Sequence, residues 1–279
     1  MGLLLALLPG NLTAQEPAAP TKLIYPLASA VAPDGAIYIA DRNLPGVWKF
    51  VDGQFSVLFQ ASKKFRTPLN AVRCVAIDHE GRLLAGDSST REIYRFDAEG
   101  KPQPLTNGGI GIPMAMAVAA DGTIYASDLE IQRVVAVPPE GGEPRMLAQI
   151  TGCRGLSLAS DGKLWAVSNG GPDVLLKMDP TAEKPTWEVV LGGQPFQFPA
   201  EIAVLPSGVA YVADGYAKTI WKVEPGQVPQ PAFQGEPLQH PVGLVRHKDG
   251  LLVTDPRAAT LFELSAAGEL KPLIPAPGN

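Results

Sequence analysis

A chain of 279 residues with a formal net charge of −5 lacks the basic footprint that nucleic-acid binding demands. Beyond its N-terminus it has no apolar run of the roughly 18 residues that a membrane helix needs. Its 29 glycines and 28 prolines, with no long helical periodicity to compete, call for many short strands joined by tight turns.

Taken in order, residues 1–20 read as a secretory signal and flexible leader, with a Leu-rich stretch Leu3–Leu8 and a cleavage position after Ala14. A basic start to that signal is missing, and the competing reading is an unstructured apolar tail. Export, to a secreted or periplasmic location, is the expectation, with residues 21–279 forming one domain. Thr21–Tyr25 (TKLIY) looks like an outer strand without a blade and is expected to dock beside the C-terminal one.

A repeat then begins. Turn pairs occur at Asp34-Gly35, Glu80-Gly81, Asp121-Gly122, Asp161-Gly162, Ser207-Gly208 and Asp249-Gly250, spaced 46, 41, 40, 46 and 42 residues apart. Seven residues after each turn (six in the last unit) stand Asp41, Asp87, Asp128, Ser168, Asp214 and Asp255. Six residues further (seven in the fourth unit) begin the apolar quartets VWKF, IYRF, VVAV, LLKM, IWKV and LFEL. Each unit thus offers a run before the turn, a run after it, the quartet, and a weaker outer strand. The outer strands are expected at Phe55–Phe59, Gln103–Thr106, Arg145–Gln149, Thr186–Leu191, Pro231–Gln234 and Leu270–Ile274. A period of about 40–45 residues with four strands per unit predicts an all-β, six-bladed β-propeller of four-stranded antiparallel blades. A monomer is expected.

Two cysteines, Cys74 and Cys153, begin the inner strands of units two and four. An exported protein invites a disulfide, but non-adjacent blades hold their Cα atoms beyond the ~7 Å that a bridge tolerates. Both should be free, buried thiols. The repeat aspartates could be drawn as a ring of metal ligands. A residue recurring once per blade before a turn more often binds the turn's own backbone amides, and that reading is preferred.

Positions that break the repeat are more informative. Seven residues before the turn the units show Leu27, Arg73, Met114, Arg154, Ala200 and Val242. One residue on, Glu201 stands where the others have Ala28, Cys74, Ala115, Gly155 and Gly243. A carboxylate near the axis needs a partner, because burying it unpaired is costly. Arg73, Arg154 and Glu201 could neutralise one another as a network closing the channel. They could instead form a pocket for a carboxylate or phosphate, which arginine recognises bidentately. Asn70, His240, Asn169, Tyr216, Lys218, Arg42 and Arg257 fall on loops of the same face, where binding residues concentrate. His79 and His247 fall at the opposite edge, leaving His240 without the companions a zinc site requires. No G-x-S-x-G, C-x-x-C or phosphate-cradling glycine loop occurs.

The repeat pattern, clearest in MAMAVAADGTIYASDLEIQRVVAV and PAEIAVLPSGVAYVADGYAKTIWKV, resembles the NHL-repeat propellers over residues 27–275. The phrases NAVRCVAIDHEGRLLAGD and CRGLSLASDGKLWAV are also similar to the gluconolactonase/regucalcin-like propellers. That resemblance implies a divalent metal on the axis held by Glu, Asn and Asp. Here Arg73, Arg154 and Ala200 occupy the corresponding positions, and cations are incompatible with oxygen ligation of an ion such as Ca²⁺. No cofactor and no metal are therefore expected. The leading reading is a non-catalytic binding platform for a small anionic ligand or a protein segment. The alternative is a lactonase- or esterase-like hydrolase with a degenerate metal site, in which Glu201 would be a lone acid–base.

Overall fold

A computed structural model describes residues 22–62, 64 and 66–273. The signal and leader expected over residues 1–20 lie outside these described residues. The chain forms six four-stranded antiparallel sheets, each built from one contiguous stretch. From the centre outward, the first blade comprises β1 (Pro26–Val31), β2 (Ile37–Asp41), β3 (Gly46–Val51) and β4 (Gln54–Gln60). The second comprises β5 (Val72–Ile77), β6 (Leu83–Asp87), β7 (Glu92–Phe96) and β8 (Pro102–Pro104). The third is β9 (Pro113–Val118), β10 (Ile124–Asp128), β11 (Arg133–Val137) and β12 (Arg145–Gln149). The fourth is β13 (Cys153–Leu158), β14 (Leu164–Ser168), β15 (Asp173–Met178) and β16 (Glu188–Gly192). The fifth is β17 (Pro199–Val204), β18 (Ala210–Asp214), β19 (Thr219–Val223) and β20 (Gln230–Gln234). The sixth is β21 (Gly243–His247), β22 (Gly250–Asp255), β23 (Thr260–Leu264) and β24 (Leu270–Pro272). The inner strands contact one another in sequence, and β21 returns to β1, closing a six-bladed β-propeller. No helix among the described residues is long and apolar enough to cross a membrane.

The core is a set of layers between adjacent blades. Each holds the apolar residues of one blade's face against the next, as Ala85 and Tyr94 pack with Ala40 and Val47 between blades two and one. The same construction recurs at all six seams. Both faces of the central strands are therefore covered, which is why they read as near-continuous apolar runs.

The inner hairpins turn on a left-handed glycine, as at Gly35 (φ 86°), with Asp34 accepting the Ala36 N–H at 3.0 Å. Blade six departs from this. Its turn is the two-residue Lys248-Asp249 hairpin, Lys248 takes the left-handed conformation (φ 51°), and Gly250 opens β22. The missing residue explains the shorter spacing of the last unit.

Two expected elements need correction. Lys22–Tyr25 is not a strand, because blade six draws all its strands from its own stretch. The segment still closes the ring through side chains. Leu23 is buried in the seam between blades six and one with Trp48, Leu252 and Leu261, while the Ile24 and Tyr25 amides bond Asp41. The outer strand expected over Gln103–Thr106 is instead Pro102–Pro104: the Leu105 amide still bonds Ile93 O at 2.9 Å but shares its hydrogen with the buried carboxylate of Glu92, which takes the Thr106 amide outright. Ile274, the expected end of the last strand, lies outside the described residues.

Candidate functional site

The repeat aspartates join two loops in each blade. Asp214 is fully buried and accepts N–H bonds from Gln197 and Phe198, both at 2.8 Å, ahead of the inner strand, and from Ala217 at 3.2 Å after the second. Asp41, Asp87, Asp128 and Asp255 do the same. In blade four Ser168 donates to Thr151 O at 2.6 Å and accepts from the Gly171 amide. These acids are spent on backbone, as turn chemistry predicts.

In five blades a β-bulge follows at the start of the inner strand. The ladder passes from Val72↔Asp87 to Cys74↔Gly86, and from Cys153↔Ser168 to Gly155↔Val167, leaving Arg73 and Arg154 as the extra residues. Leu27 and Ala200 are left out likewise in blades one and five. A bulge re-aims the side chain it frees, and here it aims these residues at the channel mouth. Glu201, one position on, rejoins the ladder opposite Ala213.

The mouth is a cavity of about 220 Å³ whose lining includes Arg42, Arg73, Arg154, Glu201, His240, Tyr25 and Phe198. The two bulge arginines are held alike. Arg73 Nε donates to Ser88 Oγ at 3.1 Å, and that hydroxyl donates to Ala71 O at 3.2 Å. Arg154 Nε meets Asn169 Oδ1, and the Asn169 amide nitrogen reaches Gly152 O at 3.3 Å, in the orientation that satisfies both ends of the amide. In each case the buttress directly follows the blade's repeat residue, Asp87 or Ser168, and its acceptor carbonyl lies two residues before the arginine. Fixing Nε leaves the terminal guanidinium nitrogens for a ligand.

No carboxylate among the described residues forms an ion pair with Arg42, Arg73 or Arg154. The expected network among Arg73, Arg154 and Glu201 is therefore absent. Burial, then the neighbouring Arg42, holds the Arg73 pKa below its ordinary value, with Asp87 opposing. Arg154 is lowered by burial and by Arg73, against an opposing effect of Tyr216. Both guanidiniums remain cationic.

Glu201 lies deeper. Its Oε1 accepts its neighbour Ile202 N–H at 3.0 Å, and the Leu156 N–H also faces it. Burial pushes its pKa well above the ordinary value, more than these amides lower it. It fits because the facing position in blade four is Gly155, where a Cβ would lie 2.8 Å from Glu201 Cα. Glu201 also lines the second cavity, of about 400 Å³, that fills the far half of the channel.

Opposite the arginines stands an aromatic wall. Phe198 stacks against Tyr216 (centroids 4.6 Å apart) and His240 (5.8 Å), and the Arg154 guanidinium lies 4.9 Å from the Phe198 centroid. Phe198 and Tyr25 belong to the site although comparing positions seven and six before each turn passes over them. The signal stands two residues earlier, where Tyr25, Ala71, Ile112, Gly152, Phe198 and His240 are equivalent. Three of these are rings that line the mouth. Asn70 is not part of the site, since its amide donates to Ser62 O at 2.6 Å. Lys218 is turned to Glu236 and Gln239, and Arg257 does not line the cavity.

The donor set does not fit a hard divalent cation. One carboxyl faces three guanidiniums, and among the described residues no cluster of three or more His, Cys, Asp or Glu is placed to hold a metal. Cys74 and Cys153 are free and buried, and burial raises both thiols.

No protein-family model matches the chain, and neither does any curated protein. Among solved structures it is similar to a gluconolactonase from Xanthomonas campestris (TM-score 0.74, 18% identity, 90% of this chain and 88% of that one). It is also similar to virginiamycin B lyase from Staphylococcus aureus (TM-score 0.67, 15% identity, 92% and 86%). A chain of the nidogen/laminin complex resembles it too (TM-score 0.67, 17% identity, 79% and 84%). At these identities the likeness is one of fold: the chain is a six-bladed β-propeller with gluconolactonase-like neighbours.

Proposed function

We propose that this propeller binds a small anionic ligand, a carboxylate or phosphate, in the channel mouth. The observation that carries this is the convergence of Arg42, Arg73 and Arg154 on one cavity without a carboxylate partner. The partly buried guanidiniums of Arg73 and Arg154, with anchored Nε atoms, and the exposed Arg42 beside them favour an anion that supplies the missing acceptors. The test is a thermal-shift and calorimetric titration with inorganic phosphate and sugar acids on wild type, Arg73→Gln and Arg154→Gln. Binding in wild type that weakens in both variants is expected; no anion-dependent shift in wild type would remove the reading.

One observation favours a second reading, a lactonase- or esterase-like hydrolase. Glu201 is a single carboxyl in the cavity with a raised pKa, the condition in which a carboxyl serves as a general acid near neutrality. Lactone hydrolysis abolished in Glu201→Gln would establish it, and its absence across a lactone panel would leave the binding platform. The N-terminal leader adds the proposal of export as a monomer. Finding the mature N-terminus after Ala14 in an exported fraction, eluting as one chain by light scattering, would support it. Retention of residues 1–14 would oppose it.

A further inference from the structure

The three guanidiniums and three rings of the mouth are not scattered. The bulge arginines come from blades two and four, on either side of Met114 in blade three. The ring-bearing equivalents, Phe198, His240 and Tyr25, come from blades five, six and one. The mouth therefore has a cationic side and an aromatic side, which meet where Arg154 lies over Phe198 and in blade one, the source of both Arg42 and Tyr25.

We propose, resting on the anion-binding reading above, that the mouth takes a flat dianion: a small ring-bearing molecule with two acidic groups, one on Arg73 and one on Arg154. Its plane would lie against the Phe198 and His240 wall.

Three features support this. The first is that the two arginines are built alike, each with Nε held by the residue that follows its blade's repeat position, Asp87 or Ser168. Two anchored forks presenting their outer nitrogens to one cavity match two acidic groups better than one. The second is charge. Arg42 depresses Arg73, and Arg73 depresses Arg154, so like charges accumulate with Asp87 opposing only at Arg73 and no carboxylate among the described residues in ion-pair contact. A dianion relieves more of that repulsion than a monoanion. The third is shape. A cavity of about 220 Å³ lies below the ~300–1,000 Å³ of drug-sized sites, which suits a one-ring metabolite. The wall it would meet is already a stack of tilted and parallel rings.

The experiment is isothermal titration calorimetry of the full chain with three probes: isophthalate (ring, two acids), benzoate (ring, one acid) and glutarate (two acids, no ring). Isophthalate is expected to bind about tenfold or more tighter than either of the others, the scale of one charge-assisted contact. Arg73→Gln and Arg154→Gln should each erase its advantage over benzoate, while Lys218→Ala, outside the cavity, should not. Melting temperatures of all variants, together with Arg73→Lys, separate loss of the contact from loss of the fold. Benzoate equal to isophthalate would overturn the dianion, and glutarate equal to isophthalate would overturn the flat body. Either result, with phosphate or sugar acids still binding, leaves the anion site intact. Failure of every anion removes both readings.

Discussion

The repeat aspartates are the elements on which the mouth depends, and Asp214 tests this most directly. In Asp214→Ala four donors lose their acceptor: the amides of Gln197, Phe198 and Ala217, and Trp221 Nε1 at 3.3 Å. Gln197 is exposed and Ala217 half-buried, so water replaces much of those two bonds. The Phe198 amide and the Trp221 indole are half-buried as well, and an orphaned donor costs about 1–3 kcal/mol where water does not replace its acceptor. A net loss of about 3 kcal/mol follows, which at about 2–4 °C per kcal/mol lowers the melting temperature by about 6–12 °C. The control is Asp161→Ala, an exposed turn residue that accepts one N–H, from Lys163 at 3.0 Å, and whose loss costs about 1 kcal/mol or less. Scanning calorimetry and urea unfolding read both. Because Phe198 carries the aromatic wall, Asp214→Ala should also weaken anion binding although Asp214 touches no ligand. Equal melting temperatures for the two variants would refute the reasoning.

Glu201→Gln should flatten the pH dependence of stability. A carboxyl whose folded pKa is raised binds more protons folded than unfolded, so wild type loses stability as pH rises above the ordinary value of 4.5 towards the raised one. The variant lacks that loss, and unfolding midpoints at pH 5, 7 and 8 that fall equally in both chains would contradict it. Gly155→Ala should destabilise by about 1–3 kcal/mol, because its methyl would press on Glu201 Cα, main chain that a side-chain rotation does not clear. Urea titration checks it, and combining it with Glu201→Ala should recover only part of the loss. Cys74 and Cys153 should both resist a thiol reagent in the native chain and both react in denaturant; rapid native labelling of either would contradict their burial.

Much of this was legible because the fold is written in local chemistry. Turn pair and quartet each act within a few residues and the repeat acid keeps a near-constant offset from both, so their register survives in the sequence, down to β12 at Arg145–Gln149. What failed depended on longer reach. Lys22–Tyr25 has the composition of a strand, but two of its amides are taken by Asp41, 16 and 17 residues away. Glu92 likewise takes the Thr106 amide, 14 residues away, at the end of β8. The supposed neutralisation of Arg73, Arg154 and Glu201 failed because composition does not show the bulge. Adjacent residues normally alternate faces, whereas the bulge frees the arginines towards the mouth while Glu201 sits in the ladder below. Phe198 and Tyr25 were readable in principle, as equivalents of His240, once the comparison extends two residues further back.

The same architecture separates stability from chemistry. In five blades an acid holds the mouth loops chiefly through their backbone amides, with side-chain donors such as Trp48, Thr90, Arg133 and Trp221 added, so the arginines those loops display carry little of the fold. Arg73 shows how far this goes. Removing its side chain sacrifices one bond to Ser88, which keeps its own bond to Ala71 O, and relieves repulsion from Arg42. These effects oppose each other, so Arg73→Ala should change stability by no more than about 1 kcal/mol, in the range of ordinary surface substitutions. Its effect on anion affinity should be about tenfold or more. Asp214→Ala should show the reverse emphasis, a large loss of stability with binding lost as a consequence. A drop of several kcal/mol in Arg73→Ala would mean that the guanidinium props the mouth open, and the case for a ligand there would weaken accordingly.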